Sequence, residues 1–547
     1  MKKILSYTLV FALMLSIAPI ITLSAAETPG VPILSFPAAG TFDGELIVSA
    51  VDFGLNYRAD GITNRDALNA ALNYVSDLGG GVVTIPAGTF EILDGKYTIE
   101  NYPGDIAYDG TPLPNFPISG LDNIYYNSIM VPSSCTLRGA GRNVTTLRAV
   151  DNSNWYLVTS AGIAEGLITT GSAVENLTLD CNREGQIRYD HNWNLAANYA
   201  GGGQSGILFF SNEGRVQNVA VTDAVWNGII MTISDQPTVK DCYVYSNGKA
   251  GIYFSDCTEI ICTGNTVRDC VAEGLALAYV RGGVVNGNIF TDNKGAGINV
   301  ARANKNLTIT GNSCILNAGG GFLATQDAHE FIFTINNSVI SGNDFSYAGR
   351  RTIDGSTSGA PGMLMYEAHD NFIANNKVSY SGGPGIILTN SSRNTITENK
   401  IYGPGKAPDG IMMPVDVIYD ADLPDGYEIE FGPAYGICIV YDLELAGYVD
   451  FGIIGGTGTC EGNIVSFNDI NDDAVGTNMY SAIFAGPMNT TNPYAVYANN
   501  DDVVNLTVLF NVIGNTTGPA VILPVDCNYI NWEKPSNQLV GPGLAVR

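Results

Sequence analysis

Positive charge is scarce in this chain. Lysine and arginine number 26 against 53 aspartates and glutamates, a formal net charge of −27. So acidic a chain repels nucleic acid and anionic membrane surfaces, which makes both poor partners. It repels polyanionic sugars as well, unless Ca²⁺ or a local arginine cluster reverses the field. Charge of either sign is thin, at 14% of residues, while hydrophobics reach 45%, the balance of a large buried core. No CxxC spacing occurs among Cys242, Cys257, Cys262 and Cys270, which argues against zinc. Ten cysteines in an exported chain permit disulfides, or serve as small buried hydrophobes. Beyond the N-terminus no apolar run approaches membrane-spanning length.

That N-terminus is Met1-Lys2-Lys3, an apolar run from Ile4 to Leu23, then Ser24-Ala25-Ala26. It has the three parts of a secretory signal peptide at 1–26, so the mature chain is expected outside the cytoplasm, secreted or at the cell surface. The run is also long enough for an uncleaved anchor. Loss of Lys2 and Lys3 takes the net charge from −27 to −29. Eight N-x-S/T sequons, at Asn143, Asn176, Asn306, Asn336, Asn390, Asn489, Asn505 and Asn515, suggest surface glycosylation; an Asn- and Thr-rich chain also produces them by chance.

What the chain does have is a period. GILFF, GIIMT, GIYFS, GLALA and GINVA open at Gly206, Gly228, Gly251, Gly274 and Gly297, in steps of 22, 23, 23 and 23, and a further 23 reaches Gly320. Self-similarity of this length marks a stacked repeat. The unit carries no helical signal, so the stack is a solenoid of strands. Residues one and three after each glycine are apolar and face the core, as in Ile229 and Met231 or Ile252 and Phe254. A second strand follows, such as Leu307 to Thr310, then a turn asparagine, then a third strand such as Cys314 to Leu316. Asn265, Asn288, Asn312, Asn343, Asn376 and Asn399, with Asn218 and Asp241 earlier, are expected to stack by side-chain amide bonds at a tight bend.

The period resumes at Gly362, Gly385 and Gly436, after interruptions at 346–361 and 402–435; a third lies at 182–205. All three precede an opening glycine, which places them at one corner as a wall. Residues 27–50 read as an extension, 51–95 as an N-terminal cap and 466–547 as terminal coils and cap, within one solenoid over 51–547. In the cap, Thr63 and Asp66 suggest a capping-box start, and Ala67, Leu68, Ala71, Leu72 and Val75 an apolar helix face ended by Gly79-Gly80-Gly81.

The block Ala59-Asp60-Gly61 through Gly79-Gly80-Gly81-Val82-Val83-Thr84-Ile85-Pro86-Ala87-Gly88-Thr89-Phe90 resembles the entry of pectate-lyase-superfamily proteins. The resemblance implies an all-β, single-stranded right-handed parallel β-helix plugged by a short N-terminal helix. It carries no catalytic residue across. The Asp-Asp plus Gly-His-Gly set of polygalacturonase-like members and the Asp-Pro-His-Asp motif of mannuronan epimerases are both absent, since Asp472-Asp473 lacks that context.

Candidate chemistry comes from the residues alone. The second, outward position of the glycine-led strands is apolar across the coils: Leu208, Ile230, Tyr253, Ala276, Asn299, Leu323, Leu364, Ile387 and Cys438. It is either covered by loops or the floor of a sugar-binding groove. Beyond it gather Asp256, Arg281, Arg302, Gln326-Asp327-Ala328-His329-Glu330 and Tyr366-Glu367-Ala368-His369-Asp370. Asp327, His329, Glu367 and His369, on adjacent rungs, are the candidate catalytic groups: carboxylates as acid and base of a glycoside hydrolase, or His329, His369 or Tyr366 as base of a lyase or epimerase. Arg302, Arg350 and Arg351 are candidate clamps for a uronate, with Tyr253 and, in the first wall loop beside His191, Trp193 as further substrate-binding residues. The acidic stretch Asp409, Asp416, Asp420, Asp422, Asp425, Glu428 and Glu430 is able to bind Ca²⁺ but lacks EF-hand spacing, and an ordinary solvated loop reads the same. Two functions compete: a secreted enzyme acting on a polysaccharide, and a non-catalytic surface, adhesin or sheath rod. The concentration of His, Asp, Glu and Arg favours the enzyme; the acidity and apolar strip fit both.

Overall fold

The structure is a computed structural model. It describes residues 45–93, 95–98, 124–151, 153, 156–161, 167–186, 205–325, 333–349, 360–405, 434–441, 460–472, 479–487, 503–514, 516, 521–522, 531–532 and 538–540. The signal peptide, the acidic stretch 409–430 and Trp193 lie outside them.

The chain winds as a parallel β-helix of three sheets. In one coil Ile229–Thr232 belongs to the first, glycine-led sheet, Thr238–Lys240 to the second and Tyr243–Tyr245 to the third. The next coil repeats each strand in parallel register: Ile229 pairs with Ile252, Val239 with Cys262, Val244 with Val267. Among the described residues the first sheet has 14 strands, and only the pair Gly95–Thr98 and Ile124–Val131 is antiparallel. The third sheet is in two parts, of eight and five strands, bridged at Asp344. Inward residues of all three sheets form one apolar core from Ala50 to Val521.

Steric need fixes the glycine column. A Cβ on Gly228 would sit 2.6 Å from Val244 Cγ1 of the same coil and 2.6 Å from the Gly251 carbonyl of the next. Gly251, Gly297, Gly362 and Gly436 are crowded in the same way. None of these has left-handed backbone, so they are selected for close approach alone. One member is displaced from the expected position: Ile298 pairs with Phe322, so the residue equivalent to Gly297 is Gly321, and Gly320 pairs with Ala296.

The asparagine ladder forms as expected from Asn265 onward. Nδ2 of Asn265, Asn288, Asn312 and Asn343 donates to Oδ1 of Asn288, Asn312, Asn343 and Asn376, all at 2.9–3.0 Å. Asn376, Asn399 and Asn468 continue it to Asn511 at 3.0 Å. Asn218 does stack one coil away, its Nδ2 donating to Asn176 Oδ1 at 2.7 Å, but neither it nor Asp241 is a rung of this ladder. They occupy the preceding, left-handed position (φ 51° and 54°), which is Gly264, Gly287, Gly311 and Gly342 in later coils. Cys242 takes the ladder position there, and its N–H donates to Asn265 Oδ1.

The helix Gly61–Asp77 caps the N-terminal end, burying Ala67, Leu68, Ala71, Leu72 and Val75. Its N-cap is Asp60, whose side chain accepts from the Thr63 N–H at 2.8 Å, in place of the expected Thr63. Ile47–Ser49 already pairs with the strand Gly81–Ile85, so the solenoid begins before residue 51. The eight thiols Cys135, Cys181, Cys242, Cys257, Cys262, Cys270, Cys314 and Cys438 are buried and free, packing as small hydrophobes. Burial pushes Cys242, Cys257 and Cys270 up to about 12. Of the sequons, Asn143, Asn306 and Asn505 are exposed, whereas Asn390 is fully buried.

The interruptions use two corners. Segments 187–204, 350–359 and 406–433 run between third-sheet and first-sheet strands, as expected. Segments 326–332, 442–459 and 488–502 leave from the other edge of the first sheet, toward the second. The single-corner expectation failed because an insertion after a strand and one before the next glycine lengthen the glycine spacing equally. The ladder separates them: Asn312 to Asn343 spans 31 residues and Asn343 to Asn376 spans 33.

Candidate functional site

The outward column of the first sheet is covered at both ends and open between. Leu208 and Ile230 are buried in a small cluster with Phe210, and Leu364, Ile387 and Cys438 are buried beyond it. Tyr253, Ala276, Asn299 and Leu323, on four consecutive rungs, are half-exposed. At ~4.8 Å between rungs the three intervals make this window about 14 Å long. The column expected to be apolar and outward is therefore buried in some coils and open in others.

One edge of the window is the corner from the third sheet. There the Lys249 ammonium lies 3.9 Å from the Trp226 ring centroid, and Asn299 Nδ2 donates to Glu273 Oε1 at 3.1 Å. The other edge is the corner into the second sheet, where one left-handed column holds Asp256 (φ 53°), Tyr279 (55°), Arg302 (60°), Ala303 (53°), Glu367 (48°) and Asn390 (50°). Backbone bonds stack it: Asp256 N–H to Ala278 O, Tyr279 N–H to Arg302 O, Ala303 N–H to Phe333 O, Glu367 N–H to Thr389 O. Tyr253 and Phe333 pack on Ala278, Tyr279 and Ala303, and the Arg302 guanidinium lies 5.9 Å from the Tyr279 ring centroid.

Where the floor closes at Leu364, the strand Met363–Tyr366 turns through Glu367 into Ala368–His369. Tyr366 is buried, and Thr334 Oγ1 of the preceding coil donates to its carbonyl. His369 Nδ1 accepts the Ser392 N–H at 3.1 Å, which leaves the proton of the neutral ring on Nε2. Nε2 lies 3.5 Å from Glu367 Oε2, and both side chains are partly accessible. Left-handed backbone at a glutamate costs roughly 1 kcal/mol or more, and it recurs at the corners of this solenoid, as at Glu259 and Glu398. Next to them Asp370 and Arg393 form a two-pronged pair, Nε to Oδ1 at 2.6 Å and Nη2 to Oδ2 at 2.8 Å. The Arg393 hydrogen bonds hold the Asp370 carboxyl below the usual carboxylate range.

The structure thus brings Tyr253 and Arg302 to the window and Glu367 and His369 to its closed end. Tyr366 lies buried behind them. Asp327, His329, Arg350, Arg351 and Trp193 lie outside the described residues. Segment 326–332, which carries the first two, joins Gly320–Thr325 to Ile335–Asn336, one coil before Glu367 and His369. Sequence reasoning missed Trp226, Lys249, Glu273, Tyr279 and Phe333. The repeated tetrad of carboxylate, alanine, histidine, carboxylate at 327–330 and 367–370 is the signal that located Glu367 and His369. Among the described residues no three His, Cys, Asp or Glu side chains group to hold a metal ion.

Comparison with known proteins bears on the fold. Residues 166–314 match the family model described as "Right handed beta helix region". Structural neighbours include the A-module of Azotobacter vinelandii mannuronan C-5 epimerase AlgE6, with 16% identity over 91% of this chain and 99% of that one, TM-score 0.54. The N-terminal fragment of bacteriophage Phi29 gene product 12 aligns at 15% identity over 91% and 72%, TM-score 0.55. The chain is a right-handed parallel β-helix protein. No curated protein sequence matches it. Residues 333–413 of this β-helix protein also match the model "Periplasmic copper-binding protein (NosD)". The described residues of that segment do not fit copper. Met363 and Met365 face the core, and His369 is the segment's one histidine, its Nδ1 already taken by the Ser392 N–H. No helix of the described residues is long and apolar enough to cross a membrane.

Proposed function

We propose that this β-helix protein binds an extended glycan along the window of the first sheet, outside the cytoplasm, and modifies it at the closed end. The carrying observation is the window itself: a bare floor at Tyr253, Ala276, Asn299 and Leu323 between aromatic and polar edges. Sugar rings present apolar C–H faces and a hydroxyl rim, and that pairing of aromatic surface with few oriented polar groups suits them. The −27 charge favours a neutral glycan over a polyanionic one. Glu367 is the proton acceptor and His369, with its proton on Nε2, the donor; Asp327 and His329 in the joining segment are proposed partners. Arg302, and Arg350 and Arg351 if a uronate is the substrate, supply positive charge. Ca²⁺ at the 409–430 stretch remains part of the proposal through the assay alone.

The test is a screen of the mature chain against neutral and uronic polysaccharides, with and without Ca²⁺, following reducing ends, unsaturated products and epimer ratios. Turnover abolished by Glu367→Gln and by Asp327→Asn supports the reading. Binding without turnover, unaffected by Tyr253→Ala, leaves a non-catalytic surface rod, the second function read from the sequence.

A further inference from the structure

Two adjacent outward columns of the second sheet are uncharged over eight consecutive rungs, from Ile261 and Thr263 to Thr507 and Leu509, with Arg281 and Lys305 earlier on the same strands. One outward column is β-branched or aromatic throughout: Ile261, Val284, Val339, Phe372 and Ile464 are 38–44% exposed, with threonines between them. The other column is small and mostly hydroxylated; Asn286 Nδ2 donates to Thr310 Oγ1, and Ser466 Oγ to Thr397 Oγ1. The third sheet shows that this is not general to the outer surface, because its outward residues include Arg268, Lys377, Lys400 and Asp469.

The first four rungs of the strip are also low in relief. Along its third-sheet edge the left-handed position is glycine in four successive coils, Gly264, Gly287, Gly311 and Gly342. The strip's later rungs carry Asn375, Glu398, Phe467 and Phe510 at that position with similar φ, and a Cβ on Gly287 or Gly342 would meet nothing within 4 Å. Side chains are therefore tolerated at that corner and absent beside the strip's first four rungs.

We infer that this face adsorbs to the flat, repeating surface of an insoluble neutral polysaccharide. Methyl groups and hydroxyls in alternating columns match the C–H and O–H pattern of packed sugar chains, and the two columns themselves bring no ions to desolvate on contact. A second copy is a poor occupant. Seven intervals of ~4.8 Å and a width of roughly 10 Å give about 340 Å², under half of the ~800 Å² per partner of a stable interface, and each copy brings −27 charges. The inference is independent of the window on the first sheet.

The test is depletion of the mature full chain from solution by microcrystalline cellulose, chitin and insoluble (1→3)-β-glucan. Retention on at least one solid, little changed between 0.05 and 0.5 M NaCl, is expected. Thr308→Lys with Val339→Lys should lower the bound fraction at least tenfold, while Val284→Thr and the window variant Tyr253→Ala keep it. Sedimentation velocity and thermal melting on the same variants check assembly and folding. Retention on none of the solids, equal retention by the lysine variant, or a dimer dissolved by the lysines would overturn the inference.

Discussion

The backbone N–H of Ser392 donates to Nδ1 of His369, and the opposite ring nitrogen faces Glu367 Oε2 at 3.5 Å. A main-chain group thereby orients the imidazole, with no further side chain needed. On the proposed reaction, Glu367→Gln and His369→Asn should each lower kcat on the identified glycan by roughly 10²–10⁴-fold, the usual worth of a general acid or base. Steady-state kinetics, with thermal melting as the folding control, checks this; a loss under threefold in both variants removes the pair from the chemistry.

The Asp370–Arg393 pair makes a pH prediction. The folded-state carboxyl of Asp370 is depressed by its Arg393 hydrogen bonds, so its contribution is present above the unfolded value near 3.9 and fades as pH falls through the folded one. Because the pair is substantially exposed, Asp370→Asn should cost under about 1 kcal/mol at pH 7. Urea midpoints of variant and parent should converge as pH drops below about 4. A gap that widens in acid reverses the sign and sinks the assignment.

Asn312 is a rung with neighbours on both sides. It accepts from Asn288 N–H and Nδ2 and donates to Asn343 Oδ1 and Val285 O. Asn312→Ala strands several buried groups and should destabilise by about 3 kcal/mol or more. The exposed Asn286→Ala should cost under about 1 kcal/mol. Chemical denaturation of both variants gives the comparison; similar small effects would mean that water fills the ladder.

Gly251→Ala places a methyl group inside the contact distance of Val267 Cγ1 and near the Gly274 carbonyl. A loss of about 2–3 kcal/mol is expected from overpacking. Val267→Ala should recover part of it in the double variant, a non-additivity that double-mutant analysis of melting data detects. Additive effects would show that the backbone contact dominates.

Burial raises the thiols of Cys242, Cys257 and Cys270 to about 12. At pH 8 the native chain should leave all three unlabelled by a thiol reagent over hours, and label them at once in 6 M guanidinium. Mass spectrometry of labelled peptides reads this directly.

Much of the architecture was legible because the same side-chain demand recurs every coil. The glycine before Ile252 and the amide at Asn288 each meet an identical copy one rung away, so composition at a fixed spacing reports the contact. The Asn218 and Asp241 error has the same root: neighbouring positions, one left-handed and one in the ladder, both favour asparagine. The site was less legible. Glu273 meets Asn299 across 26 residues, and Glu367 shares a left-handed column with Asp256 and Tyr279 without any common residue type. A column defined by backbone conformation leaves little compositional trace. The tetrads at 327–330 and 367–370 showed where to look but not which partner faces which.

The Asn399–Asn468 bond closes at 3.0 Å across 69 residues, the same length as the Asn376–Asn399 bond across 23. Excursions of very different extent thus leave the stack with the same pitch. The solenoid is in effect a loom with fixed warp: segments at 350–359, 406–433 or 442–459 are replaceable without retuning any rung. Recognition surfaces are free to diversify while the frame stays constant, and a loop transplanted at Gly405 or Tyr441 should inherit a rigid, already folded mount.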